Sequence, residues 1–200
     1  MSWALRNTLY VSGMIIIPYI YIVWRLIIST KIIWPDQYRS LRYFLIGVTV
    51  LVNMLPLVML YYYSRGTLLE AFVYRTQTNF LDYAFLFPFW IGLIIVVEIL
   101  PYFLASDILE GIGRLFFSGL RETIRKWSAI IKLSLAVFFS CYIIITIFLD
   151  TYHVSESRYS VTIKNLPIAM DNLQLALLAD LQVDRFTQDT KINGVKTIIN

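Results

Sequence analysis

Residues 83–105 read YAFLFPFWIGLIIVVEILPYFLA, and this stretch decides the class of fold to which the chain belongs. Fourteen of the residues from Phe85 to Leu104 are Leu, Ile, Val or Phe, and the only charged residue among them is Glu98. Each apolar residue favours membrane insertion by roughly 0.3–0.6 kcal/mol, so together they outweigh a central acid that costs about 3 kcal/mol. The stretch is therefore predicted to form a transmembrane helix.

Three further segments have the same character, at residues 9–28, 41–63 and 129–149. Each reaches the roughly 20 residues that a helix needs to cross a bilayer. The whole chain is 58% hydrophobic and 15% charged, with a mean hydropathy of +0.69, whereas soluble domains have about 45–50% and 25% in these classes. Residues 1–150 are thus predicted to form a four-helix domain of a multi-pass membrane protein, with the lipid bilayer as its first partner.

The positive charges between the segments predict an orientation. The N-terminus and second loop carry three cations, and the first and third loops carry seven, since the latter include Lys31, Arg39, Arg42, Arg114, Arg121, Arg125 and Lys126. By the positive-inside rule the first and third loops are cytoplasmic, and the region after residue 150 is extracytoplasmic. The net charge of only +4, with cations clustered between apolar segments, favours lipid headgroups over nucleic acid as the partner.

Two features of the membrane region are candidates for function. An intramembrane carboxylate such as Glu98 suggests a proton or ion relay or a headgroup contact, as in a small transporter-like module. The alternative is that Glu98 faces neighbouring helices or lies near the interface, one turn before Pro101. Residues 113–127 alternate apolar and basic positions with near-helical spacing, which predicts an amphipathic helix lying in the inner headgroup layer as a connector.

The composition changes after the fourth apolar segment. Residues 151–158 are polar and are interpreted as a short tether. Residues 159–164 alternate as in a half-buried strand, 173–179 form a short apolar run typical of a covered strand, and 190–200 have helical spacing. These are the first β-β-α elements expected of an α/β domain.

Asp180 directly follows the second predicted strand, and ligands of α/β sheets gather at the carboxyl ends of strands. Gln182 is expected on the same side if the alternation of the strand continues. An Asp and a Gln offer oxygen ligands, which favour a hard cation such as Mn²⁺ or Mg²⁺. Taken alone the pair is weak evidence for a metal, because carboxylates at strand ends often cap the following loop.

The strings VTIKNLP at residues 161–167 and LQLALLADLQVD at 173–184 resemble the opening of membrane-associated calcineurin-like metallophosphoesterases. In that family a strand, a Leu-Pro turn and a second strand lead into an Asp-x-His motif, whose place is taken here by Asp180-Leu181-Gln182. The resemblance implies that Asp180 ligates the first of two metal ions and that Gln182 occupies the position of the histidine. Manganese or magnesium is the expected metal, with iron or zinc as alternatives.

The later motifs of that family, which supply most ligands of the two metals, do not occur in this chain. The resemblance therefore implies the N-terminal part of a membrane-anchored metal-dependent phosphoesterase, inactive by itself, with no catalytic residue of its own. Phosphate esters would be its substrates, lipid or envelope phosphoesters among them. Two non-enzymatic alternatives stay open, a four-helix membrane scaffold and a transporter-like module that uses Glu98.

Overall fold

The structure is a computed structural model that describes residues 2–74, 78–152, 159, 160, 164, 193 and 196. Of these residues, 88% are helical. The chain divides into two compact units, Met1–Ile145 and Thr146–Asn200. The helices are α1 (Trp3–Ile33), α2 (Tyr38–Val52), α3 (Leu55–Ser64), α4 (Leu68–Phe72), α5 (Phe87–Phe116) and α6 (Arg121–Tyr152), with a π-helical turn at Asp82–Leu86 and a 3-10 turn at Ser118–Leu120.

Helix α1 is bounded by local signals in the sequence. The hydroxyl of Ser2 accepts a hydrogen bond from the backbone N–H of Leu5 at 3.3 Å, which caps the N-terminus. The helix ends at Ile33, before Trp34-Pro35, because a proline disfavours helical backbone in the residue that precedes it.

The second predicted segment, residues 41–63, is not one straight helix. It is divided into α2 and α3, which are bent by 41° at a break after Val52. Pro56 lies in the first turn of α3, where its missing N–H is tolerated, whereas inside a continuous helix it would leave the carbonyl of Val52 without a partner. At the break, the side-chain amide of Asn53 donates to the carbonyl of Thr49 at 2.8 Å.

The region before α5 is held by a reciprocal cap. The backbone N–H of Asn79 donates to the carboxylate of Asp82 at 3.0 Å, and the N–H of Asp82 donates to the side-chain oxygen of Asn79 at 3.1 Å. Two donors at the helix start are satisfied in this way, as in a capping box. The π-helical turn that follows ends just before Pro88, which has no N–H with which to continue a regular hydrogen-bond ladder.

The three long helices bury only one narrow seam each. On α5 the buried residues are Phe89, Val96, Ile99 and Phe103, at intervals that keep them on one face. Tyr102 of α5 contacts Phe139 of α6 with ring centroids 4.9 Å apart. Most remaining apolar side chains of these helices point outward, a pattern that is unstable in water and natural in lipid.

Within the described residues, three helices are long and apolar enough to cross a membrane, and the bent pair α2–α3 adds a fourth span if it counts as one. The helices extend beyond the predicted segments. Helix α1 covers Trp3–Ile33 where the sequence predicts 9–28, and α5 continues to Phe116, beyond the predicted end at residue 105. The chain is thus consistent with a multi-pass membrane protein.

The predicted interfacial helix at residues 113–127 is wrong. Its first part is the last turn of α5 and its second part the first turns of α6, with only the 3-10 turn Ser118–Leu120 between them. Most of the apolar residues of this stretch, Phe116, Phe117, Leu120 and Trp127 among them, are exposed. Gly113 of α5 lies against Ile124 of α6 across this turn, since a Cβ at Gly113 would lie 3.3 Å from the side chain of Ile124.

The predicted β-β-α elements of an α/β domain are also wrong. No strand occurs in the described part of the chain, which is almost entirely helical. Tyr159 and Ser160 of the first predicted strand have no regular structure and Lys164 lies in a turn. Six alternating residues are a weak signal, because a strand needs neighbouring strands and a covered face to be stable. The second predicted strand lies outside the described residues.

At Gly92, α5 lies close to side chains of two other helices. A Cβ at Gly92 would overlap the side chain of Val52 on α2 and the hydroxyl group of Tyr19 on α1. Small residues at such crossings let membrane helices pack tightly.

We expect Gly92→Ala to lower the free energy of unfolding by about 1–3 kcal/mol, because Val52 is stiff and must be displaced. Thermal unfolding of the purified protein in detergent measures this as a lower midpoint. Gly47→Ala on α2 is the matched control, because a Cβ there meets nothing within 4 Å. Equal midpoints for the two variants would contradict the proposed close approach.

Candidate functional site

Three helices bring ionised side chains together at one end of the bundle. We call Arg25 of α1, Asp107 and Glu110 of α5, and Lys132 of α6 the ionic cluster. Asp107 and Glu110 are three residues apart and therefore share a face of α5. The cluster lies near the C-terminal ends of α1 and α5 and near the N-terminal end of α6.

Lys132 is the centre of this cluster. Its Nζ lies 2.7 Å from Oδ1 of Asp107 and 3.0 Å from Oε2 of Glu110, and its side chain is only 3% exposed. Arg25 pairs with Asp107 from the opposite helix and lies 3.8 Å from Glu110. Asp107 therefore meets two cations, and Glu110 meets three, since Arg114 also lies 3.6 Å from it.

Neutral hydroxyl groups complete the network. Tyr21 donates a hydrogen bond to Oδ2 of Asp107 at 2.6 Å, and Ser128 donates to Oε2 of Glu110 at 2.7 Å. Lys132 also donates to the hydroxyl oxygen of Ser128, one turn earlier on α6. The carboxylate oxygens that burial deprives of water thus keep hydrogen-bond donors, without which buried ion pairs are unstable.

A cavity of about 350 Å³ adjoins the ionic cluster. Arg25, Glu110 and Lys132 line it on one side. Two further arginines, Arg114 of α5 and Arg125 of α6, line it where the helices end. The cavity is therefore predominantly cationic. Its remaining lining residues are Ile28, Ser29, Ile32 and Ala129.

The residues that the sequence singled out are not part of this site. Glu98 is exposed on α5, and nine residues separate it from Asp107, which is about two and a half helical turns, so the two side chains leave opposite faces. Because Glu98 is exposed, the alternative in which it faces neighbouring helices is wrong. Asp180 and Gln182 lie outside the described residues.

A metal centre is not found among the described residues, where no three His, Cys, Asp or Glu side chains gather closely enough to hold an ion. The predicted metal ligands therefore stay a prediction. The same applies to the two-metal site and to the choice among manganese, magnesium, iron and zinc.

The ionic cluster itself was missed from the sequence. The predicted third segment ends at residue 105, before both acids, and neither Arg25 nor Lys132 belongs to a site that the sequence predicts. A signal was present, because Asp107 and Glu110 follow that segment at one-turn spacing, and a lysine and an arginine lie inside other apolar segments at the corresponding end.

Comparison with known proteins adds no assignment. The chain matches no protein-family model, no curated protein and no solved structure. The candidate site must therefore be judged from its own geometry.

We expect Lys132→Met to destabilise the bundle, because it leaves Asp107 and Glu110 with only partial compensation. Removing one partner of a fully buried ion pair lowers the free energy of unfolding by roughly 3–5 kcal/mol. The loss in Lys132→Met should not exceed this range, because both carboxylates keep some contact with solvent. Thermal unfolding in detergent is the measurement.

Lys126→Met is the matched control, since Lys126 is an exposed residue of the same helix. Its unfolding midpoint should stay near that of the unmodified chain. A Lys132→Met variant as stable as Lys126→Met would show that the cluster does not hold the helices together.

Proposed function

We propose that this chain is a multi-pass membrane scaffold, whose helices keep the C-terminal segment at the membrane. The observation that carries the proposal is the ionic cluster, which joins three apolar helices at one end. A relay or transport path would need polar groups distributed across the bilayer, whereas the ionic cluster lies at one end of the three helices.

The spacing of charges along the helices supports a membrane placement. Arg6 and Arg25 on α1 are 19 residues apart, which is about 28 Å of helix. Lys132 and Asp150 on α6 are 18 residues apart, or about 27 Å. Neither interval contains a charged residue, and both match the roughly 30 Å thickness of a bilayer core.

The orientation follows from the cation bias. Arg114, Arg121, Arg125 and Lys126 all belong to the end of the bundle that holds the ionic cluster. By the positive-inside rule this end is cytoplasmic, and the segment after α6 is extracytoplasmic.

Cysteine labelling tests both the placement and the orientation. In a Cys141→Ala background, which removes the exposed native cysteine, Ser157→Cys should react with an impermeant maleimide on intact cells. Ser118→Cys, in the turn between α5 and α6, should react only after permeabilisation. The reverse pattern would contradict the orientation, and equal labelling of both sites on intact cells would contradict the membrane placement.

A second candidate function is the membrane anchor of a metal-dependent phosphoesterase, with lipid or envelope phosphoesters as substrates. The observation that favours it is the sequence Ala179-Asp180-Leu181-Gln182, which resembles the first metal motif of that family. Two ligands do not make a two-metal site, so the 200-residue chain alone is expected to be inactive.

The test therefore uses a longer protein that carries this segment. Asp180→Asn should abolish metal-dependent turnover of phosphoesters by disturbing the first metal, whereas Gln182→His should preserve turnover or change the preferred metal. Asp184→Asn, which changes a nearby acid with no assigned ligand role, is the control. Comparison of kcat/KM on bis-p-nitrophenyl phosphate is the measurement, and unchanged activity in Asp180→Asn would remove the metal assignment.

A further inference from the structure

We propose that the cavity beside the ionic cluster binds a phosphomonoester group, supplied by the headgroup of an anionic lipid. The inference rests on the membrane placement proposed above, and it adds a ligand that neither scaffold nor anchor requires.

The charge balance of the site is the first argument. The cavity is lined by four cations, Arg25, Arg114, Arg125 and Lys132, and their ion-pair partners are three carboxylates, Asp107, Glu110 and the exposed Glu122. Four cations against three carboxylates leave one positive charge, which favours an anion in the cavity. The repulsion among these cations is relieved when such an anion occupies the cavity.

The distribution of the ion pairs shows which cations are available. Arg25 and Lys132 hold the carboxylates within the ionic cluster. Arg114 reaches Glu110 only at 3.6 Å, and Arg125 has a 4.0 Å contact with Glu122, a fully solvated residue at 87% exposure. The guanidinium groups of Arg114 and Arg125 are therefore the ones free to turn toward a ligand, with the fork geometry that suits phosphate.

The walls of the cavity favour a lipid over free phosphate. Ile28 and Ile32 of α1 line it one turn apart, next to the buried Ser29. An apolar strip beside a cationic cavity suits the boundary between a headgroup and its acyl chains.

The position of the cavity agrees with this ligand. It lies at the end of the bundle assigned to the cytoplasm, and anionic lipids concentrate in the cytoplasmic leaflet. A headgroup that enters from that leaflet would meet Arg114 and Arg125 first, because they are the exposed members of the lining.

The test measures binding of a fluorescent short-chain phosphatidate to the purified full chain in a nonionic detergent, by anisotropy. The competitors are dihexanoyl phosphatidate, dihexanoyl phosphatidylcholine and inorganic phosphate. Arg125→Gln should weaken binding about tenfold or more, the effect of losing one charged hydrogen bond. Lys126→Gln, which removes the same charge from the next position outside the lining, should change affinity by less than about twofold, as a screened exposed charge does.

Each outcome either supports or overturns the proposed lipid phosphomonoester. Competition by phosphatidate alone, with loss in Arg125→Gln only, supports the lipid phosphomonoester. Equal competition by inorganic phosphate would retain the proposal that the cavity binds a phosphate group but would overturn the proposal that a lipid supplies it. Competition by phosphatidylcholine as strong as that by phosphatidate, equal loss in both variants, or no binding overturns the proposal. None of these results alters the labelling of Ser118 and Ser157, so the scaffold proposal is judged separately.

Discussion

The buried ammonium group of Lys132 is the interaction on which the described bundle depends. It is almost excluded from solvent, and it meets two carboxylates of the neighbouring helix that are themselves largely covered. A buried charge is tolerable only if its partners are fixed, so Asp107 and Glu110 must face α6. Arg25 of α1 then pairs with Asp107, and these contacts fix the relative rotation of α1, α5 and α6 at that end.

Elsewhere the bundle relies on shape more than on charge. Lipid gives little hydrophobic force between helices, so close packing at points such as Gly92 has to supply the association. The break between α2 and α3 contributes to the same packing, because it places Val52 against α5 and Leu55 in the core. Directional ion pairs at one end and close packing along the seams are thus complementary.

The helical membrane region could be predicted from the sequence because twenty consecutive apolar residues have few alternatives. Helix ends were less predictable, since α5 continues beyond Ala105 through residues whose charges are paired inside the protein and so do not stop the helix. The ionic cluster depends on contacts between residues as far apart as Arg25 and Asp107, and one-dimensional periodicity contains no such information. The strand prediction failed because alternation over a few residues cannot supply the neighbouring strands that make it stable.

The ionic cluster also imposes an order of assembly. Glu110 and Lys132 are 22 residues apart, whereas Arg25 and Asp107 are separated by 82. Contacts between near neighbours in sequence form before distant ones, because less chain has to be ordered. The α5–α6 hairpin is therefore expected to close first. Asp107 and Glu110 then pair with Lys132 before Arg25 of α1 reaches them. Helix α1 is synthesised before α5 and α6 but is fixed in place after them, and until then Arg25 has to remain near the headgroups.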